Sequence, residues 1–318
     1  MDSHVLETKM YSEVCIIGGG AVGSSIAYFL YRSGLERIPV YYGSEDSVKA
    51  VSEQGGVLLH DKQRKASLVV PVVPRYYLNP LDKCVFVFNT VKAYDVDKTL
   101  DLMKKITFPH SVVIMTQNGF GSLELAEETL SGVLKVAGGV VYFGAERVNR
   151  AEVVYHGGDT VLTGCRKEPC IELLELSRIL RLGGLEFRVV DDIDYYRWLK
   201  LALNAVVNPI TALARFKNRI VLEKEGMELA EMILEEVCKA AKKHGYTLDM
   251  KRLLSYVERS VKAVSENISS MAQDVLMGRT TEIDYINGFI WKTLGEEAKV
   301  NRSITLLIKL LEKSANMK

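Results

Sequence analysis

Short runs of apolar residues alternate with helical stretches along the first part of the chain, and helical stretches alone make up the rest. The runs are rich in valine, isoleucine and phenylalanine, which favour strands, and turn-forming residues bound them. Several runs are apolar at nearly every position, as expected for strands covered on both faces. They predict strands at residues 14–17, 38–42, 68–73, 84–91, 111–116, 136–143, 152–156, 160–163 and 187–190.

The order of these elements predicts an α/β fold in two domains. Buried strands separated by helices, such as those predicted at residues 97–106 and 169–182, are typical of a mostly parallel, Rossmann-type sheet. A chain of 318 residues is also long for a single hydrophobic core. Because no strand-like run follows residue 190, we predict a Rossmann-type domain at residues 1–190 and an all-helical domain at residues 191–318.

One helix in the second half carries a polar stripe. The segment from Trp198 to Pro209 is otherwise apolar, so it is expected to be buried. Its polar residues Lys200, Asn204 and Asn208 are four apart, which places them on one helix face over about 12 Å. Burying these groups costs several kcal/mol unless each has a partner. Either backbone carbonyls supply the partners, or the stripe faces a cleft and a ligand supplies them; we favour the second interpretation.

A glycine-rich loop follows the first predicted strand and opens a helix. Gly18, Gly20 and Gly23 satisfy the spacing G-x-G-x-x-G. In such loops the first glycine makes a tight turn, the second lets the backbone approach a pyrophosphate, and the third lets helix and strand pack closely. The pyrophosphate then lies at the helix N-terminus, where N–H groups attract anions. We therefore predict a dinucleotide-binding loop formed by Gly18, Gly19, Gly20, Ala21, Val22 and Gly23.

The residues after the second predicted strand leave the choice of dinucleotide open. An acidic residue at this strand end would bind the ribose 2′-hydroxyl of NAD, and an arginine would accommodate the 2′-phosphate of NADP. The sequence has neither, because Gly43 and Ser44 follow Tyr42 directly. Ser44 is a candidate phosphate ligand, whereas Glu45 and Asp46 come late and are interpretable as solvated loop charges.

Other polar residues have two interpretations each. Lys92 and Asn118 follow predicted strands, and ligands of open α/β sheets lie outside the carboxyl ends of strands. An isolated lysine is, however, usually solvated, and Asn-Gly is a common turn pair. The helix start at residues 269–274 is similarly either a carboxylate site or a plain N-cap.

Composition and charge limit the classes of function. The net charge is +1, so nothing favours nucleic acid or a membrane surface as a partner. The N-terminal residues do not resemble a signal peptide, and no apolar run approaches the ~18 residues of a spanning helix. The five cysteines lack paired spacing, so we predict a cytoplasmic protein with neither a metal site nor a disulfide framework. An apolar helical half would suit a homodimer.

Three segments resemble the ketopantoate reductase (2-dehydropantoate 2-reductase) family. They are the helix at residues 198–213, the sequence SSMAQD at residues 269–274 and the sequence RTTEIDYING at residues 279–288. The resemblance implies a Rossmann domain joined to a helical domain, with the active site between them. It also implies an oxidoreductase that uses NADPH to reduce the 2-oxo acid 2-dehydropantoate to pantoate, a step of pantothenate and coenzyme A synthesis.

The resemblance implies roles for particular residues as well. Lys200 matches the catalytic lysine of the family, which acts as a general acid. The residues that match substrate ligands are Asn204, Asn208, Asn218 and Ser270. The residues that match contacts to the cofactor are Lys92, Asn118, Gly144 and Glu282. The usual arginine for the 2′-phosphate is missing near Ser44, so NAD stays open as a cofactor beside NADP.

Two other functions are compatible with the sequence. One is a reductase of the same architecture that acts on another small 2-oxo acid, because small changes in a pocket separate such substrates. The other is a non-catalytic sensor that binds a dinucleotide. The presence of Lys200, Ser270 and Glu282 together with both asparagines of the stripe argues against a sensor, because a sensor needs no proton donor.

Overall fold

The computed structural model describes residues 10–315, which divide into two compact units. The first unit contains the chain up to Gln117 and the range Ser122–Ile193. The second contains the chain from Asp194 onward and also the four residues Asn118–Gly121. The expected division after residue 190 thus lies close to this boundary, but it did not assign Asn118–Gly121 to the helical half.

The first unit combines strands with helices, and the second unit is helical, which confirms the predicted α/β fold with a helical second half. Within residues 10–315 the strands are β1 (Met10–Ile17), β2 (Pro39–Tyr42), β3 (Val57–Asp61), β4 (Ala66–Val70), β5 (Val73–Tyr76), β6 (Asp82–Asn89), β7 (Thr107–Met115), β8 (Lys135–Val141), β9 (Gly144–Asn149), β10 (Glu152–Gly157), β11 (Thr160–Cys165) and β12 (Glu186–Val189). The α-helices of the same range are α1 (Ala21–Arg32), α2 (Glu45–Gln54), α3 (Leu100–Ile106), α4 (Ser122–Leu130), α5 (Leu173–Leu182), α6 (Ile193–Ala214), α7 (Lys224–Lys243), α8 (Met250–Ala263), α9 (Ser270–Leu276), α10 (Asn287–Leu294) and α11 (Lys299–Ala315).

The main sheet has its strands in the order β12-β11-β8-β7-β6-β1-β2-β5. Neighbouring strands are parallel except for β8 and β11. Its central strands are buried on both faces, which explains why they are apolar at nearly every position. Ile17 pairs with Asn89, so the carboxyl ends of β1 and β6 meet, and the glycine loop begins at this edge.

The single strand predicted at residues 68–73 is wrong. Two strands occupy this region, because β4 ends at Val70 and β5 begins at Val73. Pro71 lies between them, and a proline lacks the N–H that a continuing strand would need. β5 lies at the edge of the main sheet, whereas β4 belongs to a second sheet in the order β4-β3-β10-β9. This second sheet contacts α1.

A proline removes one hydrogen bond from the long helix α6. The carbonyl of Ala205 would accept from the residue four positions later, but that residue is Pro209, which has no N–H. The side chain of Asn287 replaces the missing donor, since its Nδ2 donates to Ala205 O at 3.0 Å. The same nitrogen donates to Oδ1 of Asn301 on α11 at 2.9 Å. A fully buried carboxamide therefore supports α6 at its proline.

The helices of the second unit enclose a hydrophobic core of their own. Trp198 and Val206 of α6 pack there with residues of the following helices, such as Ile233 and Val257. All four side chains are fully buried. Across residues 10–315 none of the helices combines the length and the apolar character needed to cross a membrane.

Four of the five cysteines form disulfides, which corrects the prediction that the chain lacks them. Cys15 on β1 is joined to Cys84 on the neighbouring strand β6, and Cys165 at the end of β11 is joined to Cys170. The Cα atoms are 5.9 Å apart in both pairs, as usual for disulfides. The first pair joins strands that are adjacent only in the folded sheet, so spacing in the sequence does not reveal it. Cys238 on α7 keeps a free thiol.

We predict that Asn287 and Pro209 are energetically coupled. Replacing Asn287 with alanine leaves the Ala205 carbonyl buried without its donor, which should lower the free energy of unfolding of the helical unit by about 1–3 kcal/mol. Pro209→Ala restores the missing N–H, so Asn287→Ala should be less destabilising in that background. Urea unfolding of both single variants and the double variant measures the coupling. An equal effect of Asn287→Ala in both backgrounds would contradict it.

Candidate functional site

α6 presents the polar stripe on an otherwise apolar helix. Lys200, Asn204 and Asn208 follow one another at intervals of one helical turn and therefore share a face. Asn204 and Asn208 are only 8% and 5% exposed, and Lys200 is half-buried. The neighbouring residues Leu201 and Ala205 are fully buried in the helical core. The structure thus confirms the buried helix and the common face of its three polar side chains.

The carboxamide of Asn118 connects this stripe to a buried acid. Asn204 donates through Nδ2 to Oδ1 of Asn118 at 3.1 Å, and Asn118 donates through its own Nδ2 to Oε2 of Glu282 at 3.1 Å. Glu282 is 5% exposed. These two partners fix the orientation of the Asn118 amide. If the amide were flipped, its NH2 group would face the NH2 group of Asn204, and its oxygen would face the carboxylate of Glu282. The structure therefore joins three of the expected site residues in one network.

Close backbone packing holds the segment Asn118–Gly121 in the second unit. Gly119 has a φ of +81°, and a Cβ at this residue would lie 1.9 Å from the carbonyl oxygen of Tyr285. Only glycine fits in this position. The N–H of Phe120 donates to the same oxygen at 3.0 Å, and its ring is buried in the helical core. These contacts fix the position of the Asn118 side chain next to α6.

Arg197, which was not among the predicted site residues, reinforces this segment. Its guanidinium lies over the Phe120 ring at 4.1 Å, donates to the Gly119 carbonyl at 3.4 Å and pairs with Asp194 at 2.6 Å. Arg197 is itself only 7% exposed. Its position three residues before Lys200 is the signal that could have indicated it, since residues three apart are neighbours on a helix.

The far end of the stripe meets the start of α9. Thr211, three residues beyond Asn208, shares a hydrogen bond of 2.6 Å with the hydroxyl of Ser269. Ser269 is the N-cap of α9 and accepts from the N–H of Ala272 at 3.1 Å. The N-cap interpretation therefore applies to Ser269. Ser270 begins the helix, and its side chain is exposed.

Asn208 and Asn218 differ in the hydrogen bonds that their carboxamides make. Asn218 is buried, and its Nδ2 donates to the carbonyl of Val264 at 3.0 Å. Its Oδ1 is buried and has no hydrogen-bond partner among the residues that the structure describes. Within residues 10–315 the Asn208 carboxamide makes no hydrogen bond, although its backbone oxygen accepts from Thr211. Asn218 thus offers an acceptor to a ligand, and Asn208 offers both a donor and an acceptor.

Burial changes the protonation of Lys200. Loss of solvent around the ammonium lowers the pKa of Lys200 from 10.5 to about 8, because desolvation disfavours the charged form. A lysine with this pKa is still mostly protonated at neutral pH, but it releases its proton more readily than an exposed lysine. Such shifts are typical of groups that transfer protons.

The glycine loop of the first unit has the geometry that its sequence predicts. Gly18 has a φ of +98°, and a Cβ there would lie 2.9 Å from the backbone nitrogen of Val91. A Cβ on Gly23 would lie 2.1 Å from the carbonyl oxygen of Gly18. A Cβ on Gly20, the N-cap of α1, would instead meet no atom of residues 10–315 within 4 Å. Packing thus requires the first and third glycines, whereas the backbone at the second is open to a ligand.

The other expected cofactor residues of the first unit lie at strand and helix ends. Ser44 is the N-cap of α2, and its hydroxyl accepts from the N–H of Ser47 at 3.3 Å. Lys92 follows β6 and precedes a short 3₁₀-helix, and Gly144 begins β9 of the second sheet. The glycine loop also contains Gly19, Ala21 and Val22.

The chain matches ketopantoate reductases along most of its length. The family described as ketopantoate reductase PanE/ApbA matches residues 14–168, and the C-terminal part of the same family matches residues 192–312. The 2-dehydropantoate 2-reductase of Archaeoglobus fulgidus is 30% identical over 305 residues, which cover 94% of this chain and 97% of that protein. The protein of the same name from Pyrobaculum aerophilum is 29% identical over 316 residues, with 95% and 98% covered.

Solved structures share the architecture. A PanE/ApbA family ketopantoate reductase from Ralstonia eutropha superposes with a TM-score of 0.84 at 25% identity, over 96% of this chain and 100% of that one. D-mandelate dehydrogenase, solved with NADH and anilino(oxo)acetate, superposes with a TM-score of 0.88 at 20% identity and the same coverage. The second likeness concerns the fold alone. From the family match and the identity to curated relatives, the chain belongs to the ketopantoate reductase family of oxidoreductases.

Proposed function

We propose that the protein is a 2-dehydropantoate 2-reductase, which reduces ketopantoate to pantoate with NAD(P)H for pantothenate and coenzyme A synthesis. The observation that carries this proposal is the face of α6, where Lys200 with a pKa of about 8 precedes the buried residues Asn204 and Asn208. A proton donor followed by hydrogen-bonding carboxamides suits a substrate with a ketone and further polar groups. The relatives named above support this choice of substrate.

The glycine loop fits the pyrophosphate of a dinucleotide. Such a group needs N–H donors at a helix N-terminus and room to approach them. α1 provides both, because its N-cap has no side chain and the space beside Gly20 is open. NAD(P)H supplies the hydride when it is bound. We assign its pyrophosphate to the loop formed by Gly18, Gly19, Gly20, Ala21, Val22 and Gly23.

Lys200 acts as the general acid in this proposal. Negative charge develops on the ketone oxygen as the carbonyl carbon is reduced, and an ammonium both stabilises that charge and delivers a proton. The lowered pKa of Lys200 eases release of the proton, while most of the lysine stays charged at neutral pH. The carboxylate of a bound 2-oxo acid would raise this pKa and favour the ammonium form further.

We assign substrate binding to Asn204, Asn208, Asn218 and Ser270. The Asn208 carboxamide is available to a hydroxyl or carbonyl group, and the unpartnered Oδ1 of Asn218 is available to a hydroxyl donor. The exposed hydroxyl of Ser270 suits the carboxylate. Contacts of this kind would hold the ketone in a reactive orientation, which accounts for much of enzymatic catalysis.

We assign cofactor contacts near the reacting centre to Lys92, Asn118, Gly144 and Glu282, and a contact at the adenosine end to Ser44. Asn118 is hydrogen-bonded to Asn204 on one side and to Glu282 on the other. The Asn118 amide therefore links a proposed substrate ligand, Asn204, with a second proposed cofactor ligand, Glu282.

Reduction of another small 2-oxo acid is the second candidate function. D-mandelate dehydrogenase has the same fold, so the fold does not by itself select the substrate. A dinucleotide-binding sensor explains less, because it has no use for a half-buried lysine with a lowered pKa.

We predict that Lys200→Ala lowers the turnover number at least about a hundredfold, because the developing oxyanion loses its proton donor. Dinucleotide affinity, measured by fluorescence titration, should stay close to that of the wild type. Lys262→Ala on α8 is the matched control, since Lys262 is exposed and pairs with the neighbouring Glu258. A Lys200→Ala enzyme with near-normal turnover would remove Lys200 from the mechanism.

The pKa of Lys200 predicts the pH dependence of reduction. The protonated form is the active one, so kcat/KM for the 2-oxo acid should be level below about pH 8 and fall tenfold per unit above it. A pH profile with saturating cofactor measures this. A rate that stays level beyond pH 9.5, on the order of 1.5 units above this pKa, would exclude the lysine as the titrating acid.

The glycine loop predicts opposite effects of two similar substitutions. Gly20→Ala places a methyl group in open space, so the protein should keep its stability while dinucleotide affinity falls about tenfold or more through loss of phosphate hydrogen bonds. Gly23→Ala creates a clash with the Gly18 carbonyl and should lower the stability by about 1–3 kcal/mol. Calorimetry and thermal melts separate the two effects. Unchanged affinity in Gly20→Ala would exclude the loop as the phosphate site.

A further inference from the structure

A serine, a histidine and a glutamate are joined by hydrogen bonds on the second sheet of the first unit. Ser67 lies on β4, His60 on the neighbouring strand β3, and Glu152 on β10, which pairs with the other side of β3. The hydroxyl of Ser67 is 2.7 Å from Nδ1 of His60, and Nε2 of the same ring is 2.8 Å from Oε1 of Glu152. The three residues belong neither to the glycine loop nor to α6, so the proposed reduction does not use them.

The register of the sheet explains why these side chains meet. Ser67 and His60 are directly opposite each other in the antiparallel pair of β3 and β4. The N–H groups of Leu58 and Lys62 donate toward β10, at 2.8 and 2.9 Å. His60 lies two residues from each of them, so its backbone also faces β10 and not β4. His60 and Ser67 are therefore a non-hydrogen-bonded pair, the type in which opposite side chains of antiparallel strands are closest.

The hydrogen bonds determine which way the proton of Ser67 points. A carboxylate only accepts, so Glu152 requires a hydrogen on Nε2 of the ring. In a neutral imidazole the other nitrogen, Nδ1, is then an acceptor, and the Ser67 hydroxyl donates to it. The second carboxylate oxygen of Glu152 accepts from Nδ2 of Asn149 at 2.6 Å, which holds the carboxylate in place.

This arrangement is the one that activates a serine as a nucleophile. A hydroxyl is a weak nucleophile until an adjacent base accepts its proton, and the base acts best when a third group orients it. Such a triad is recognised by its geometry and by the roles of its members, whatever the fold or the position in the sequence. Ser67 is exposed, so an electrophile can reach its oxygen.

The position of Ser67 at the sheet edge supplies two further requirements of acyl transfer. In the part of the chain that the structure describes, β4 pairs with a strand on one side only, and the N–H of Ser67 points away from that strand. Such an N–H can donate to the oxyanion that forms on an attacked carbonyl group. Val69 shares the face of Ser67 and is 40% exposed, and Leu58 lies opposite Val69. These apolar side chains suit the hydrocarbon part of an ester.

We propose that Ser67 is the nucleophile of a second activity, the hydrolysis of esters with short apolar acyl groups. Its Oγ forms a bond to the acyl carbon while Nδ1 of His60 takes the hydroxyl proton. The bond from the acyl carbon to the alcohol oxygen breaks, and His60 gives the proton to that oxygen. Water then attacks the acyl carbon and gives a proton to His60, which returns it to Ser67 as the carboxylic acid leaves. Glu152 is a positioning residue, because it orients the ring.

Labelling of the full chain with diisopropyl fluorophosphate tests the nucleophile. Mass spectrometry should find one diisopropylphosphoryl group per chain, attached to Ser67, and the protein should hydrolyse p-nitrophenyl butyrate. Ser67→Ala should abolish both the labelling and the hydrolysis. Ser52→Ala is the matched control and should change neither, since Ser52 is an exposed serine whose hydroxyl donates to a backbone carbonyl of α2 at 2.8 Å.

Replacement of the histidine tests the base. His60→Gln should slow both reactions about 10²–10⁴-fold, because the hydroxyl proton loses its acceptor. His156→Gln is the matched control, since His156 lies on β10 and pairs with Glu146 at 3.5 Å. An equal effect of the two histidine substitutions would overturn the role of His60.

The role of Glu152 is tested by separating kcat from KM. Glu152→Gln should lower kcat for p-nitrophenyl butyrate at least about tenfold and leave KM unchanged, because Glu152 orients the base without touching the ester. A changed KM with an unchanged kcat would overturn this role. Hydrolysis no faster than that of Ser67→Ala, or a label on another residue, would overturn the proposal itself. Ser67→Ala should keep the reductase turnover of the wild type, so the two activities can fail separately.

Discussion

The hydrogen bonds on both sides of the Asn118 carboxamide are the constraint on which the site depends. Asn118 accepts from Asn204 and donates to Glu282, and all three side chains belong to the second unit. Buried polar groups of this kind are stable only when they are satisfied, so the three residues fix one another. These hydrogen bonds therefore fix the donors and acceptors on this face of α6 in one arrangement before any ligand binds.

Two further features keep that face in place. The short segment around Gly119 brings Asn118 to α6, because only a glycine allows the chain to pass the Tyr285 carbonyl so closely. The helix itself contains Pro209, and Asn287 supplies the donor that the proline lacks. Catalysis by correctly oriented groups requires such pre-organisation, since small displacements of the reacting groups strongly lower the rate.

The features that could be predicted from the sequence are those that depend on residues close together in the chain. The spacing of Lys200, Asn204 and Asn208 and the glycine loop are each contained in a few consecutive residues, and the strand runs at the centre of the main sheet are equally local. Asn118 and Glu282 are 164 residues apart in the sequence, so no local sequence pattern predicts their hydrogen bond. The same holds for the Cys15–Cys84 disulfide and for the pairing of His60 with Glu152. The prediction of a single strand at residues 68–73 was wrong for a different reason. A proline divides this apolar run into two strands, and the two strands belong to different sheets.

The most direct test of the central claim is the oxidation of NADPH and NADH, followed separately, by the purified protein with ketopantoate, 2-oxoisovalerate or pyruvate. We expect oxidation that depends on the 2-oxo acid, with the highest kcat/KM for ketopantoate. Efficient turnover of another 2-oxo acid with little use of ketopantoate would contradict the assigned substrate. The absence of oxidation with all three acids and both cofactors would contradict the claim that the polar face of α6 is the site of a reductase.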